Sequence, residues 1–180
     1  LKMPTSKINA NKGDLQSSEL IGMARANGYR DARQEDGIKM ITQGDINNAF
    51  IHAATLPRNR APIHVHDSLE EIPQRFVNCL NPNSYIRPHM HTANGQWELM
   101  CWLFGDITVV FFDDIGRITK KILMNQDNVR VLEVPPSQNH TLITTEKSAY
   151  LEIRNCKYHP GADRIHAAWS PAEGDKAVDG

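Results

Sequence analysis

Apolar and polar residues alternate in short runs along the chain from Ile63 onward, and turn-forming residues separate these runs. A period of two residues is typical of β-strands that bury one face. Short strands at even spacing, with no helix long enough for a parallel βαβ unit between them, indicate an all-β sandwich or barrel. The predicted strands are Gln74–Cys79, Tyr85–His91, Trp97–Phe104, Ile107–Asp113, Arg117–Leu123, Arg130–Val134, His140–Thr144 and Ser148–Arg154.

Glycine marks two of the predicted turns. The dipeptide Gly105-Asp106 separates two strands and predicts a tight hairpin. The segment Asp113-Asp114-Ile115-Gly116 predicts a second hairpin, in which Gly116 takes a positive φ. Both turns agree with antiparallel pairing of neighbouring strands.

The predicted strand from Trp97 is apolar on both faces. Its inner face is expected to carry Glu98, Met100, Trp102 and Phe104, and its outer face Trp97, Leu99, Cys101 and Leu103. A strand that is apolar on both faces has to be covered on both. We therefore expect either the N-terminal extension or the second subunit of a homodimer to cover the outer face.

The residues before the predicted strands show a different pattern of polar and apolar positions. Residues 1–40 are polar, with a short helix predicted over 17–26 after a serine cap and turns predicted at Asn27-Gly28 and Asp36-Gly37. A second helix is predicted from Asp45 to Ala54, started by Gly44-Asp45, with Ile46, Phe50 and Ile51 in one apolar stripe and Pro57 after its end. We expect residues 1–55 to form an extension of short helices, 56–155 the barrel, and 156–180 a loop-rich cap and tail.

The net charge limits the expected class of binding partner, and the cysteine content limits the expected covalent cross-links. The 180 residues have a formal net charge of −1, so no strong field attracts nucleic acid or a membrane surface, and a small-molecule ligand is expected. The three cysteines are far apart and form no CxxC pair, which argues against a disulfide framework. No apolar run approaches the length of a membrane span and no signal peptide is visible, although the chain starts at Leu1; we expect a cytoplasmic protein.

Two histidines two residues apart carry the strongest chemical signal. In a strand, His89 and His91 point the same way, so both imidazoles can reach one ion. Glu98 opens the next predicted strand, and a hairpin is expected to place it beside them. His140 follows a proline-rich turn at another strand start, where a distant fourth ligand would close the site across the barrel. Imidazole and carboxylate together suit Zn, Fe, Mn, Ni or Cu.

Two interpretations are open for each of the other polar residues. Tyr85 and Arg87 share the face of the two histidines if the strand is regular. Arg87 then either presents its guanidinium to a substrate anion or forms a structural ion pair, for instance with Glu152. Arg58 and Arg60 either contact a phosphate or form a solvated basic loop. His64-Val65-His66, a second such histidine pair, is either a second metal site or proton shuttle, or a pair of ordinary surface or structural histidines.

The ligand pattern resembles that of the cupins. The first cupin motif is similar to Asn83-(five residues)-His89-Met90-His91-(six residues)-Glu98-(six residues)-Gly105, and the second to Pro135-Pro136-Ser137-Gln138-Asn139-His140. The long gap before Glu98 is similar to that of the WbuC-type cupin metalloproteins, which are a narrower family. The segments that are similar are 56–60, 74–78, 84–91, 97–99, 112–117 and 169–174.

This resemblance implies a jelly-roll-like cupin barrel that binds one divalent transition metal, Zn, Fe, Mn or Ni. It also implies a link with polysaccharide or O-antigen metabolism. The expected function is a metal-dependent enzyme, with the metal as Lewis acid, acting on a small polar molecule such as a sugar or sugar nucleotide. An isomerase or epimerase, an Fe-dependent oxygenase and a non-catalytic sugar-binding module remain open. The expected substrate-binding residues are Arg87, Tyr85, Trp102, Arg58 and Arg60.

Overall fold

The computed structural model of the protein describes residues 30–92, 95–158 and 164–175. The predicted helix over 17–26 and the turn Asn27-Gly28 lie outside these residues. The described helix is α1 (Gln43–Ala53). The strands are β1 (Arg30–Asp31), β2 (Arg33–Glu35), β3 (Ile38–Met40), β4 (Arg60–His64), β5 (Gln74–Leu80), β6 (His89–Met90), β7 (Glu98–Phe104), β8 (Ile107–Phe112), β9 (Ile118–Met124), β10 (Val131–Val134), β11 (His140–Ile143), β12 (Ser148–Arg154) and β13 (Ile165–His166).

Two facing sheets form the body of the molecule. The first has the order β1-β4-β5-β12-β7-β10, and the second the order β13-β6-β11-β8-β9. From β5 to β12 the chain passes from one sheet to the other at every step except β8 to β9, which gives β5-β12-β7-β10 opposite β6-β11-β8-β9. This is the strand order of a double-sheet jelly roll. The all-β prediction is confirmed, and each predicted strand is present, although the one predicted over Tyr85–His91 is reduced to β6.

Gly105 turns the chain between the two sheets and does not form a hairpin. Strands β7 and β8 belong to different sheets, so the hairpin prediction at Gly105-Asp106 is wrong. Gly105 has a φ of 77°, and a Cβ atom there would collide with Ser148 and the carbonyl oxygen of Lys147. Glycine is therefore required by the sharp corner and by the close approach of the chain before β12.

The hairpin predicted at Asp113–Gly116 joins β8 to β9 and is confirmed. The Asp113 side chain accepts hydrogen bonds from the backbone amides of Ile115 and Arg117, at 3.1 and 2.8 Å. Gly116 has the predicted positive φ, 88°. The ring of Trp169 lies over Gly116, where a Cβ atom would come within 2.8 Å of it. The C-terminal segment thus packs onto this hairpin.

Helix α1 covers one side of the first sheet. It begins two residues earlier than predicted, because Thr42 and not Gly44 is the N-cap and forms a reciprocal capping box with Asp45. Ile46, Ala49, Phe50 and Ala53 are buried, and the first three form a cluster with Ile63, Val77, Cys79 and Ala149. Ile51 was predicted in the apolar stripe but is 68% exposed.

The remaining described part of the N-terminal segment also adds to the sheet structure. Strand β1 pairs in parallel with β4, and β2 and β3 form a small hairpin at the predicted turn Asp36-Gly37. Within the barrel, the core between the two sheets contains Leu80, Ile86, Met100, Ile107, Val109, Phe111, Met124, Val134, Leu142 and Tyr150. Among the described residues, no helix is long and apolar enough to cross a membrane.

Candidate metal centre

The four predicted ligands come together between the two sheets, by a route that differs from the prediction. His89 on β6 and His140 on β11 are register partners in the second sheet. Glu98 opens β7 in the first sheet, so it faces the histidines from the opposite side. The expected β6–β7 hairpin is therefore wrong. The residue that closes the site across the barrel is Glu98, not His140 as predicted.

The cluster is compact and buried. His89, His91, Glu98 and His140 each offer one ligand atom, and these atoms all lie within 4.8 Å of one another. None of the four side chains is more than 3% exposed. Glu98 Oε1 lies 2.9 Å from His91 Nε2, and Glu98 Oε2 lies 2.9 Å from His140 Nε2. Such an arrangement of three imidazoles and one carboxylate can hold a transition metal ion.

Backbone carbonyls orient two of the imidazoles for ligation. Nδ1 of His89 lies 2.9 Å from the carbonyl oxygen of Arg87, and Nδ1 of His140 lies 2.9 Å from that of Gln138. A carbonyl oxygen only accepts, so each Nδ1 donates a proton and leaves the Nε2 lone pair for a metal. His89 Nε2 is buried and has no hydrogen-bond partner among the described residues. A buried nitrogen without a partner is costly, and a bound metal would satisfy it.

The charge states of Glu98 and His89 also suit a metal. Burial raises the pKa of Glu98, but the interactions with His91 and His140 outweigh it and hold that pKa well below its usual range. Burial, followed by the positive charge of Arg164, keeps the pKa of His89 well below its usual value. Burial lowers the pKa of His140, but the hydrogen bond to Glu98, the negative charge of that carboxylate and the hydrogen bond to Gln138 together outweigh it and raise the pKa. An ionised carboxylate and a neutral imidazole are the forms that bind metal.

A polar network on β12 lies beside Glu98. Arg154 Nε donates to Glu152 Oε1 at 2.6 Å and lies 3.5 Å from Glu98 Oε1. Glu152 Oε2 accepts from Asn78 Nδ2 at 2.6 Å and from the Tyr150 hydroxyl at 3.2 Å. Burial, and after it the charge of Glu98, raises the pKa of Glu152 to about 7. This network was not predicted from the sequence, although Tyr150, Glu152 and Arg154 alternate along one strand and so share a face.

Tyr85 and Arg87 contact the C-terminal segment. The Tyr85 hydroxyl donates to the carbonyl oxygen of Pro171 at 3.0 Å. The Arg87 guanidinium donates to Ser170 Oγ at 3.1 Å and to the carbonyl oxygen of Ala167 at 3.2 Å. The regular strand needed to align Tyr85 and Arg87 with the histidines is absent, because the described strand begins only at His89, after Pro88. The alternative ion pair of Arg87 with Glu152 is also wrong, since Glu152 pairs with Arg154.

Arg58 and Arg60 hold the same segment through one carboxylate. Glu173 Oε2 lies 2.8 Å from Arg58 Nε, and Glu173 Oε1 lies 2.5 Å from a terminal nitrogen of Arg60. Arg60 is buried and also donates to the carbonyl oxygen of Tyr85 at 2.7 Å. The solvated basic loop is therefore wrong for Arg60, and the contacts of both arginines are those of a structural clamp on the C-terminal segment.

Trp102 lies away from the cluster. It is four residues beyond Glu98 on β7, which corresponds to about 13 Å along a strand. Its indole Nε1 donates to the carbonyl oxygen of Gly105 at 2.6 Å, and the Arg130 guanidinium stacks 5.3 Å from its ring centroid. Phe104, predicted on the same inner face, instead contacts Phe50 of α1, because the pairing of β7 with β12 shifts register at Ala149/Tyr150.

The second histidine pair is buried and structural in its contacts. His64 and His66 have ring centroids 4.4 Å apart and pack against Phe76. Both are less than 10% exposed, so the reading as surface histidines is wrong. Neither belongs to a group of three or more potential ligands in the described part of the chain. Burial lowers the pKa of His64 to about 3, with smaller contributions from His66 and Arg154.

The jelly roll and the buried cluster of three histidines and one glutamate together define a cupin fold. A family model described as a domain of unknown function (DUF6016) matches residues 41–124. No curated protein matches the sequence.

The chain is also similar to parts of several solved structures. The capsular polysaccharide assembling protein CapF from Staphylococcus aureus is 17% identical with a TM-score of 0.46, over 53% of this chain and 26% of that one. Oxalate decarboxylase from Bacillus subtilis is 15% identical with a TM-score of 0.46, over 59% and 27%. A cupin superfamily protein from Desulfitobacterium hafniense is 16% identical with a TM-score of 0.43, over 54% and 78%. The matched region thus spans about a quarter of the first two proteins.

Proposed function

We propose that His89, His91, Glu98 and His140 bind one divalent transition metal ion and that the protein is a metal-dependent enzyme acting on a small polar molecule. The observation that carries the metal site is the buried Nε2 of His89, which has no hydrogen-bond partner among the described residues and faces three further ligand atoms. Zn, Fe, Mn and Ni all accept this ligand set.

A bound metal would supply Lewis acidity, which polarises a carbonyl or similar oxygen of the ligand. The chain itself would orient the site. The carbonyl oxygens of Arg87 and Gln138 fix the imidazoles of His89 and His140, and the Glu98 carboxylate neutralises part of the ion's charge. Glu152 and the Tyr150 hydroxyl add polar groups to the same interior, which supports an enzyme over a purely binding module.

A sugar or sugar nucleotide is the substrate class that we propose, and its support is the resemblance to WbuC-type cupins. The WbuC-type affiliation, the link with polysaccharide metabolism, a cytoplasmic location and a homodimer stay predictions. The geometry is equally compatible with isomerisation, epimerisation and Fe-dependent oxygenation.

Elemental analysis of protein purified without a histidine tag tests the metal site. We expect about one metal ion per chain in the wild type and in a His64→Ala/His66→Ala control. We expect little metal in His89→Ala/His91→Ala, with circular dichroism showing that each variant is folded. Full metal retention in His89→Ala/His91→Ala would refute the assignment.

A panel of sugar nucleotides and keto sugars, incubated with metal-loaded protein, tests the enzymatic role. Product formation that disappears in His89→Ala/His91→Ala supports an enzyme. Tight binding of one compound without turnover of any would favour the non-catalytic module.

A further inference from the structure

The C-terminal strand β13 lies directly beside the metal-ligand strand β6. In this antiparallel pair, Ile165 is opposite Met90 and His166 is opposite His89. The next step in the same register places Arg164 opposite His91. Directly opposed residues of an antiparallel pair lie on the same face of the sheet. Arg164 and His166 therefore share the face of the metal-binding histidines, and the His166 ring centroid is 6.3 Å from that of His89.

Arg164 directly precedes β13, and its side chain is half-buried. A positive charge beside the strand that carries His89 can act on a ligand that reaches the metal.

Gln96 supplies a second, independent indication of a polar ligand. Its side chain is 1% exposed, and neither its Oε1 nor its Nε2 has a hydrogen-bond partner among the described residues. Gln96 lies two residues before Glu98 in the chain, and both side chains are buried. A buried amide without partners is unfavourable unless a bound molecule or water completes its hydrogen bonds.

The charges around the cluster favour an anion once a metal is bound. The arginines Arg154 and Arg164 balance the carboxylates Glu98 and Glu152, and the divalent ion then leaves the interior with a net positive charge. A guanidinium binds carboxylates and phosphates through two parallel hydrogen bonds, a geometry that a neutral ligand does not match.

We propose that Arg164, assisted by Gln96, binds an oxyanion of the molecule that reaches the metal, so that the substrate is a carboxylate- or phosphate-bearing compound such as a sugar acid or sugar phosphate. This inference rests on the proposed metal site. It also changes the predicted substrate contacts, because Arg87, Arg58 and Arg60 hold the C-terminal segment that carries Arg164.

Anion titrations of the cobalt(II)-loaded protein, followed by the visible absorption of the metal, test this proposal. Acetate and inorganic phosphate are the two probes, and acetamide is the neutral control. We expect Arg164→Gln to weaken binding of at least one anion about tenfold or more, Arg164→Lys to restore part of the affinity, and Gln96→Leu to weaken binding several-fold. Arg117→Gln, which removes an exposed arginine from the β8–β9 hairpin, should leave affinity unchanged.

Cobalt content separates the possible failures. If Arg164→Gln and Arg164→Lys bind cobalt normally and retain wild-type affinity for both anions, the oxyanion proposal is wrong while the metal site stands. If acetamide binds as tightly as acetate and phosphate, the selectivity for anions is also wrong. If the wild type binds no cobalt, the proposed metal site itself fails.

Discussion

The two His-X-His pairs of this protein have the same spacing but different surroundings. His89 and His91 meet a third imidazole and a buried carboxylate. His64 and His66 meet the Phe76 ring and belong to no group of three or more potential ligands in the described part of the chain. A buried carboxylate attracts a cation, whereas the Phe76 ring offers it no ligand atom. Residues distant in sequence therefore distinguish the two pairs, and the spacing alone does not.

The two pairs also differ in what fixes their rings. His89 Nδ1 is held by the carbonyl oxygen of Arg87, which leaves Nε2 directed at the cluster. His66 Nδ1 lies 2.8 Å from the carbonyl oxygen and 3.0 Å from the amide nitrogen of Arg75, so it binds the backbone of the neighbouring strand. Removing the first pair should abolish metal binding, and removing the second should lower the free energy of unfolding.

The largest expected effect follows from removing the carboxylate that distinguishes the two pairs. Glu98→Gln keeps the shape of the side chain but loses its charge, so we expect metal affinity to fall by about 100-fold or more. Competition with a metal-binding dye measures the change. Glu133→Gln on β10, an exposed position, is the control. Affinity within a few-fold of the wild type would mean that Glu98 is not a ligand.

Metal removal should affect stability only through the first pair. A ligand that binds only the folded state at 100 times its Kd stabilises that state by about 2.7 kcal/mol. For a chain of this size we expect chelation to lower Tm by roughly 5–10 °C. The shift should be absent in His89→Ala and present in His64→Ala. Equal shifts in both variants would show that the two histidine pairs do not differ in metal binding.

Acidification should act on the second pair in metal-free protein. Burial holds the pKa of His64 at about 3, below the ordinary 6.5. The folded state therefore binds fewer protons, so the stability from neutral His64 is present above pH 6.5 and is lost as pH falls toward 3. Lowering the pH from about 8 to about 5 should therefore reduce the free energy of unfolding by about 2 kcal/mol through His64.

Replacing His64 by phenylalanine should remove that contribution. Urea unfolding of the wild type and His64→Phe across this pH range measures the difference in slope. An unchanged pH dependence in His64→Phe would show that His64 is not neutral and buried in the folded protein.

The smallest effect concerns the backbone contact of His66. His66→Leu removes the hydrogen bond between Nδ1 and Arg75, which should cost about 1 kcal/mol. His66→Asn keeps both a donor and an acceptor near the Arg75 backbone and should recover part of this loss. Urea unfolding at neutral pH compares the two, and equal stability of both variants would argue against a role for this contact.

The β-class and the four clustered residues were predictable from the sequence, but the pairing of the strands was not. Strand periodicity gave the β-class, and the motif spacing brought together His89, His91, Glu98 and His140. Which sheet each strand joins depends on long-range pairing, so the β6–β7 hairpin and the turn at Gly105 were mispredicted. Alternation also failed at Arg87, because the described strand starts only after Pro88.

Residues near the cluster that come from other strands were the hardest to foresee. Glu152 belongs to β12, and Arg164 precedes a two-residue strand that pairs beside His89. Neither position has a local motif. A polar triplet at alternate positions, Tyr150, Glu152 and Arg154, was the available signal for a functional face on β12.

An anomalous difference map from crystals of the metal-loaded protein tests the central claim most directly. We predict one peak per chain, about 2.0–2.2 Å from Nε2 of His89, His91 and His140 and from a carboxylate oxygen of Glu98. A peak between His64 and His66, or no peak at the four residues in crystals of protein that contains metal, would contradict the account.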